Sequence, residues 1–356
     1  MDFKTGNLGR RAGVGFLLCL FLLGAVACTS GQPADQTKAQ QSGPEQPQVQ
    51  KVKVGTLLSL ELNLPVWVGL SQGYYKEANL DVELSYLGGG VAVRDATASK
   101  DIDIGLIDMY SPVASRAAGI PLTIIGDWYD AELWVFMVST RLKDQIKSVK
   151  DLRGKVILTS PPGSVAWAMA RAVAAKEGLD PDTDVKFLAL PDFSAETWIN
   201  LLEKGEADAA VTWEPFRTIL SRRNVAETLL SMREPAMVEK YLGGSVTSMS
   251  AIAHADVIAQ KPDIMRTFAQ ATNRGIDFIK QHSAEELGKI VAPYMEVQPD
   301  FATEAVRGSL DAFVGDLSIS RGNYERRVKF FADAQLIKQA VGYDQTVDAT
   351  FAGTTE

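Results

Sequence analysis

Two stretches of this 356-residue chain decide its fold: GYYKEANLDVE, residues 73–83, and GEADAAVTWEP, residues 205–215. Around the first, an amphipathic pattern predicts a helix over Pro65–Glu77, and an apolar run predicts a strand over Val82–Tyr86. The second contains a strand predicted over Ala207–Val211. Short strands that alternate with amphipathic helices are typical of an α/β fold, so we predict that class.

Both stretches resemble the substrate-binding proteins of ABC importers, in the group named after nitrate, sulfonate, taurine and thiamine-pyrimidine uptake. A third stretch, SVKDLRGKV at residues 148–156, resembles the S-x-x-D-L-x-G-K signature with which that family enters its second lobe. The resemblance covers residues 51–280. It implies a two-lobed periplasmic-binding-protein fold of the class II type, with a ligand cleft between the lobes. It also implies a protein that binds a small molecule and is not an enzyme.

The resemblance also implies how the chain is divided between the lobes. Lobe 1 is predicted to hold residues 51–140 and 246–335, and lobe 2 residues 141–245. Residues 336–356 are predicted to form a C-terminal tail that is frayed from Gly342 onward. The expected mechanism is hinged closure of the lobes about crossovers near residues 140–147 and 243–248.

The N-terminal residues predict export. Arg10 and Arg11 precede an apolar run that is too short to span a membrane comfortably, so residues 1–27 are predicted to be a signal peptide. The residues before Cys28 fit a lipobox, in which Cys28 is lipidated, and also fit an ordinary secretory cleavage site. Residues 28–50 are rich in Gln, Pro, Ser and Gly, which predicts a disordered tether behind the lipidated cysteine. We therefore expect an exported protein anchored to the cell membrane by lipid, periplasmic or at the cell surface, with plain secretion as the alternative.

Composition narrows the function further. The net charge is -8, and residues 1–27 carry +2 (three basic residues, one acidic), which leaves -10 for the rest. A body that acidic argues against nucleic acid as a partner. The two cysteines, Cys19 and Cys28, lie in the export segment, and the two histidines are His254 and His282. We therefore expect no metal site and no cofactor, and we expect a monomer.

In the implied fold, ligands bind where strands end and helices begin. The resemblance places five segments at the cleft (residues 58–67, 88–90, 107–111, 126–134 and 159–167), closed by Trp213 and Glu214 from the second lobe. The candidate ligand-binding residues in them are Glu61, Asn63, Trp67, Asp108, Trp128, Tyr129, Ser160, Ser164, Trp213 and Glu214.

Each candidate has a purely structural alternative. Trp213 fits either a stacking contact with a planar ligand or a core position. Glu214 fits either a hydrogen-bond acceptor for the ligand or a helix-start residue beside proline. Ser160 and Ser164 fit either anion binding at a helix start or simple N-capping.

The charges of the cleft segments favour one class of ligand. Six acids lie in or beside these segments: Glu61, Asp108, Asp127, Asp130, Glu132 and Glu214. Lysine and arginine are absent from residues 54–75, 101–115, 117–140 and 156–170, whereas tryptophan is plentiful. Carboxylates accept N–H groups and indoles stack on flat rings, so a nitrogen heterocycle such as a thiamine-pyrimidine precursor or a flavin is favoured. We expect two or three of the six acids to face it. An alkane or aromatic sulfonate, taurine or nitrate is the alternative, although such sites usually offer a cation.

The sequence leaves three classes of function to compare: a binding protein of an importer, a ligand-sensing module and an enzyme. A binding protein would deliver its ligand to an ABC permease and its ATPase, whereas a ligand-sensing module would dock on a receptor. An enzyme is disfavoured, because the cytosolic pyrimidine synthase of this superfamily uses histidine and clustered cysteines, and this chain has no histidine before His254. Neighbouring permease genes would support import, and a neighbouring sensor-kinase gene would support signalling.

Overall fold

The structure is a computed structural model. It describes residues 49–351 apart from 130, 131, 163, 191–193, 247, 311, 312, 314, 315 and 334. The predicted signal peptide, Cys28 and nearly all of the predicted tether lie outside the described residues, as does Asp130.

Two five-stranded sheets organise the described residues. The first contains β1 (Gln50–Thr56), β2 (Leu80–Tyr86), β3 (Ile104–Asp108), β4 (Leu122–Asp127) and β10 (Met249–His254), in the order β2-β1-β3-β10-β4. The second contains β5 (Val135–Ser139), β6 (Val156–Thr159), β7 (Lys186–Ala189), β8 (Ala209–Thr212) and β9 (Ala226–Ser231), in the order β7-β6-β8-β5-β9. These sheets form the cores of two lobes, as the resemblance implied.

The two sheets share one plan. In each, four strands run in the same direction, and one strand from the other side of a crossover pairs antiparallel with its two neighbours: β10 with β3 and β4, and β5 with β8 and β9. The chain therefore passes between the lobes twice, once between β4 and β5 and once between β9 and β10.

The first crossover lies earlier than predicted. The prediction that lobe 1 holds residues 51–140 includes β5, but β5 pairs with β8 and β9 of the second sheet. The chain changes lobe over residues 128–134, not near residues 140–147. A short apolar strand carries no sign of which sheet it will join, because its register and partners are decided by residues far along the chain.

Helices cover both faces of each sheet. They are α1 (Leu60–Ser71), α2 (Tyr74–Glu77), α3 (Gly90–Ser99), α4 (Tyr110–Ala117), α5 (Val165–Lys176), α6 (Ala195–Lys204), α7 (Phe216–Arg222), α8 (Pro235–Leu242), α9 (Ala255–Gln260), α10 (Pro262–Gln281), α11 (Ala284–Met295), α12 (Pro299–Arg307), α13 (Arg321–Asp333) and α14 (Tyr343–Thr346). A short 3-10 helix, Val149–Leu152, follows β5.

Helix α1 is almost entirely buried. Every residue from Leu60 to Gly69 is buried, and α10 lies directly against it. A Cβ atom added to Gly275 of α10 would come within 2.3 Å of the Pro65 carbonyl oxygen, so glycine permits this close approach. The close packing of α10 thus positions the middle of α1.

The C-terminal segment is packed rather than frayed. Val347 forms a parallel bridge with Ile124 of β4, and both Val347 and Phe351 are buried. Upstream, α13 reaches both lobes: Arg327 contacts the sulfur of Met169 on α5 at 3.7 Å. The predicted frayed tail is therefore wrong for residues 342–351, because apolar side chains at wide spacing can pack without a helical or strand period.

Candidate functional site

A cavity lies where the strand ends of the two sheets face one another. Its empty volume is about 360 Å³, the open mouth included. Leu57, Ser59, Leu62, Gly90, Asp108, Leu133, Trp134, Ser160, Ser164, Val165, Ala166, Trp213 and Met249 line it. Residues of both lobes line it, so this cavity is the interlobe cleft.

The topology explains why these residues meet. Asp108 is the last residue of β3, and Met249 at the start of the antiparallel β10 is paired with it. In the second sheet, Trp213 follows β8, and Trp134 directly precedes the antiparallel β5 at the same edge. Carboxyl ends of parallel strands and amino ends of their antiparallel neighbours share one sheet edge, which makes each edge one wall of the cavity.

Three helices begin at the cavity. Ser59 caps α1 by accepting a hydrogen bond from the Leu62 backbone N–H at 3.4 Å. Ser164 caps α5 by accepting one from the Trp167 backbone N–H at 3.3 Å. Helix α3 begins at Gly90, which lacks a side chain at the cavity wall. The positive ends of these helix dipoles therefore point toward the enclosed space.

Two indoles form the aromatic part of the wall. Trp134 and Trp213 meet edge to face, with ring centroids 5.5 Å apart and planes at 81°. The Trp213 indole N–H donates to the Leu58 carbonyl of lobe 1 at 3.1 Å. Trp213 thus lines the cavity and also ties the second lobe to the loop that precedes α1.

Asp108 is the one carboxylate among the described lining residues. Its Oδ1 accepts a hydrogen bond from the Ser111 backbone N–H at 3.0 Å, in the first turn of α4. Burial raises the pKa of Asp108 to about 6, although the Ser111 hydrogen bonds and the charge of Arg327 act against this rise.

Behind Asp108 lies a buried ion pair. Arg327 and Glu132 are both fully buried and form a salt bridge with each other. Burial raises the pKa of Glu132 to about 7, the charge of Arg327 opposes this rise, and the charge of Asp108 adds to it. Glu132 lies in the first crossover and Arg327 lies on α13, so the pair joins parts of the chain that are far apart in sequence.

Four of the ten candidates line the cavity: Asp108, Ser160, Ser164 and Trp213. Glu61 and Glu214 do not. Both are fully buried and share Arg233, which pairs with Glu61 and lies 3.8 Å from Glu214. Glu214 also pairs with Arg217 at 2.5 Å. These two carboxylates satisfy buried guanidinium groups beside the cavity, rather than a ligand in it.

The other four candidates belong to the protein core. The Asn63 amide donates to the Leu57 and Ser59 carbonyls at 2.7 and 2.8 Å, which holds the loop before α1. Trp67 stacks on Tyr294 with centroids 5.9 Å apart. Trp128 donates to the Glu61 carbonyl at 3.0 Å, and Tyr129 packs edge to face on Phe313.

The acids contribute less to the cavity than expected. We expected two or three of six carboxylates to face the ligand, and Asp108 is the one that lines the cavity among those the structure describes. Asp127 accepts from the Tyr129 backbone N–H at 3.0 Å and from the Ser250 hydroxyl at 3.2 Å. Its carboxylate thus holds the start of the crossover.

Sequence reasoning missed Ser59, Trp134 and the Arg327–Glu132 pair as parts of one site. Ser59 and Trp134 fall within segments placed at the cleft, so a serine before a helix and a tryptophan before a strand were available signals. No local sequence pattern indicates that Arg327 belongs to this region. It lies on a C-terminal helix that the motifs do not reach, and only the tertiary fold brings it to Glu132.

Neither a metal site nor a membrane span is found in the part of the chain that the structure describes. In that part, no three histidine, cysteine, aspartate or glutamate side chains are grouped to hold a metal ion. None of its helices has the length and apolar character needed to cross a bilayer.

Two lobes joined by two crossovers, with a cavity at the facing strand ends, define a periplasmic-binding-protein fold. Residues 63–286 match the family model described as NMT1/THI5 like. This match covers more than half of the chain, so the chain belongs to the NMT1/THI5-like family. The resemblance stated from the motifs is confirmed.

Similar proteins differ in what their names describe. The chain is 22% identical over 338 residues to the riboflavin-binding protein RibY of Chloroflexus aurantiacus, across 93% of this chain and 87% of that protein. It is 22% identical over 265 residues to the 4-amino-5-hydroxymethyl-2-methylpyrimidine phosphate synthase of Candida albicans, across 71% and 73% of the two chains. The solved alkanesulfonate-binding protein SsuA of Xanthomonas axonopodis pv. citri, bound to MOPS, has a TM-score of 0.68 at 18% identity, covering 85% of this chain and 99% of that one. The last similarity shows a shared fold.

Proposed function

We propose that this protein is the extracytoplasmic substrate-binding lipoprotein of an ABC importer, and that it captures a flat nitrogen heterocycle, such as a thiamine-pyrimidine precursor or a flavin. The observation that carries the proposal is the cavity itself. It is walled by Trp134 and Trp213, it carries the carboxylate of Asp108, and no lysine or arginine is among its described lining residues.

The chemistry of that wall suits a planar ring with N–H groups. Indole faces and edges bind flat rings through dispersion and quadrupole contacts. Asp108 can accept a ring or exocyclic N–H, and the Ser160 and Ser164 hydroxyls can donate to ring nitrogens or carbonyl oxygens. The names of RibY and of the Candida synthase, which refer to riboflavin and to a pyrimidine, describe rings of this kind.

Binding would act by hinged closure of the lobes. The crossovers at residues 128–134 and near residues 243–248 would serve as the hinge, and the ligand would bridge Asp108 of one lobe and Ser160 of the other. Closed protein would then dock on the permease, which works with its ATPase. Cys28, if lipidated, would keep the protein at the cell membrane, and the acidic body is expected to act as a monomer without nucleic acid.

We propose binding rather than catalysis. The chain's two cysteines, Cys19 and Cys28, precede the described residues. His254 caps α9, where its Nδ1 accepts from the Asp256 backbone N–H at 3.1 Å. His282 stacks on Phe278 with ring centroids 3.6 Å apart. Neither histidine is among the residues that line the cavity, so the chain lacks the histidine and cysteine groups of the related synthase.

A second candidate, a sulfonate, taurine or nitrate, is favoured by one observation. Helices α1, α3 and α5 all begin at the cavity, and free backbone N–H groups there can hold an anion. The nearby carboxylate of Asp108 opposes this candidate, because an anion beside it would be repelled unless Asp108 took up a proton.

A thermal-shift panel separates the two candidates. The protein is unfolded and refolded to remove bound ligand, and then mixed with pyrimidines, flavins and pteridines, or with taurine, alkane and aromatic sulfonates and nitrate. A ligand at a hundredfold excess over its Kd stabilises the folded form by about 2.7 kcal/mol. We expect a heterocycle to raise Tm, and a rise with sulfonates alone would contradict the proposal.

A further inference from the structure

Arg327 is a buried cation with an unused hydrogen-bonding edge. Its side chain is fully buried, and Nη1 faces Glu132 and the Met169 sulfur. Its Nε and Nη2 have no hydrogen-bond partner among the described residues. These two nitrogens form one planar edge of the guanidinium, the geometry that donates two parallel hydrogen bonds.

The surroundings of Arg327 make that unused edge costly. The guanidinium lies 4.8 Å from the centroid of the Phe331 ring, and its Nε and Nη2 atoms are shielded from solvent. A buried N–H without an acceptor destabilises the folded protein, because it has lost its hydrogen bond to water and gained none in return. A ligand that brings an acceptor to these two nitrogens would restore the missing hydrogen bonds. A purely structural role for Arg327 does not explain why the two donors lack partners.

The Arg327–Glu132 pair adjoins the cavity. The charge of Arg327 acts to lower the pKa of Asp108, which lines the cavity, and Glu132 lies two residues before Trp134 of the cavity wall. Arg327 also contacts α5, whose first residues, Val165 and Ala166, line the cavity one turn before Met169. Arg327 and Glu132 are not among the described lining residues, but the pair lies next to lining residues of both lobes, Asp108 and the start of α5.

We propose that Arg327, with Asp108 and Glu132, forms a subsite that recognises a carbonyl-bearing edge of the ligand ring, that is, a lactam or imide. Arg327 donates to the ring carbonyl, and a carboxylate accepts the adjacent ring N–H. This inference rests on the proposed function and narrows it from nitrogen heterocycles in general to oxo-heterocycles. A neutral carbonyl fits better than an oxyanion, because two carboxylates already surround this single cation.

Matched pairs of ligands test the subsite. Uracil is compared with 2,4-diaminopyrimidine, and pteridine-2,4-dione with 2,4-diaminopteridine, by calorimetric titration of the refolded protein. Within each pair the ring is the same, and the exchange of carbonyl for amino groups reverses donors and acceptors. We expect the dione to bind about tenfold to a hundredfold more tightly, the worth of one hydrogen bond to a charged group.

Variants assign the preference to Arg327. In Arg327→Lys the charge stays but the planar edge is lost, and in Arg327→Met both are lost, so both variants should bind the two members of each pair equally. Lys329→Met is the matched control, because it removes an exposed cation from the same helix and should keep the preference. If neither Arg327 variant folds, the relative affinities of the unaltered protein for the dione and the diamine still test the subsite.

The outcomes separate the two proposals. Equal or reversed affinities for diones and diamines would overturn the subsite while leaving heterocycle binding intact. Tight binding of a sulfonate that Arg327→Lys abolishes would overturn it in favour of an oxyanion subsite. Binding of no heterocycle at all would overturn the proposed function, and the subsite with it.

Discussion

Asp108 and Glu132 depend on one buried cation, Arg327, and burial raises the pKa of both carboxyls, to about 6 and about 7. Their ordinary values are 3.8 and 4.5, so the folded protein holds protons that the unfolded chain has lost. Each carboxyl therefore contributes stability at acid pH that declines as the pH rises through its folded-state pKa. The net charge of these two carboxyls thus changes near neutral pH.

Replacing Glu132 by glutamine should flatten this dependence. Between pH 4.5 and 8 the unaltered protein should lose roughly 3 kcal/mol through Glu132, since a raised pKa of about 7 against 4.5 is worth about 1.4 kcal/mol per unit. The free energy of unfolding, measured by denaturant at pH 5 and pH 8, should fall less in Glu132→Gln. Glu203→Gln, an exposed carboxylate on α6, is the control and should keep the full slope. Identical slopes in Glu132→Gln and the unaltered protein would contradict the account.

At the residue scale, the sequence identifies residues through their local position. Asp108 at a strand end and Ser164 at a helix start could be predicted, because strand and helix boundaries leave local signals. Glu61 and Glu214 satisfy the same positional rule, yet they pair with Arg233. Whether a carboxylate faces a ligand or an arginine depends on which distant residue packs beside it, and sequence position does not contain that information.

At the element scale, one ion cluster joins several elements of both lobes. Arg233, just after β9, pairs with Glu61 of α1 and donates to the Gly308 carbonyl at 3.1 Å. Ser309 donates to the same Glu61 carboxylate at 3.2 Å, and burial raises the pKa of Glu61. The Leu60 backbone N–H donates to the Glu214 carbonyl at 3.3 Å. These contacts fix the start of α1 against the end of β8, beside the cavity.

Removal of Arg233 should therefore destabilise the protein strongly. Arg233→Met leaves Glu61 buried without its cation, which should cost roughly 3–5 kcal/mol in unfolding free energy at pH 7. The double variant Arg233→Met with Glu61→Gln should recover much of that loss, because the unpaired charge is gone. Arg223→Met, which breaks an exposed pair with Glu196, should change stability by less than about 1 kcal/mol. A loss of that smaller size in Arg233→Met would mean that the cluster does not hold the two elements together.

Elements were more predictable than their partners. The strands predicted over Val82–Tyr86 and Ala207–Val211 lie within two residues of β2 and β8. The single helix predicted over Pro65–Glu77 is wrong, because the structure has two helices there, α1 and α2, and the first begins at Leu60. The assignment of β5 to lobe 1 was wrong, because antiparallel pairing with β8 is a long-range choice. The docking of residues 342–351 on β4 was missed for the same reason.

At the scale of the whole molecule, the two sheets present equivalent edges to one cavity. Asp108 and Met249 come from one edge, and Ser160 and Trp213 from the other. A ligand that contacts all four would hold the lobes together, and its release would require that they separate. In the proposed mechanism, binding of a small molecule would bring the lobes together, and a membrane partner would recognise the closed form.

Calorimetric titration of the best heterocycle from the thermal-shift panel into the unaltered protein, Trp213→Ala and Trp213→Phe tests this account most directly. Trp213→Ala should weaken binding by roughly 1–3 kcal/mol, the scale of losing one aromatic contact, and Trp213→Phe should retain most of the affinity. Unchanged affinity in Trp213→Ala, with unchanged stability, would place the ligand outside the interlobe cavity and contradict the account.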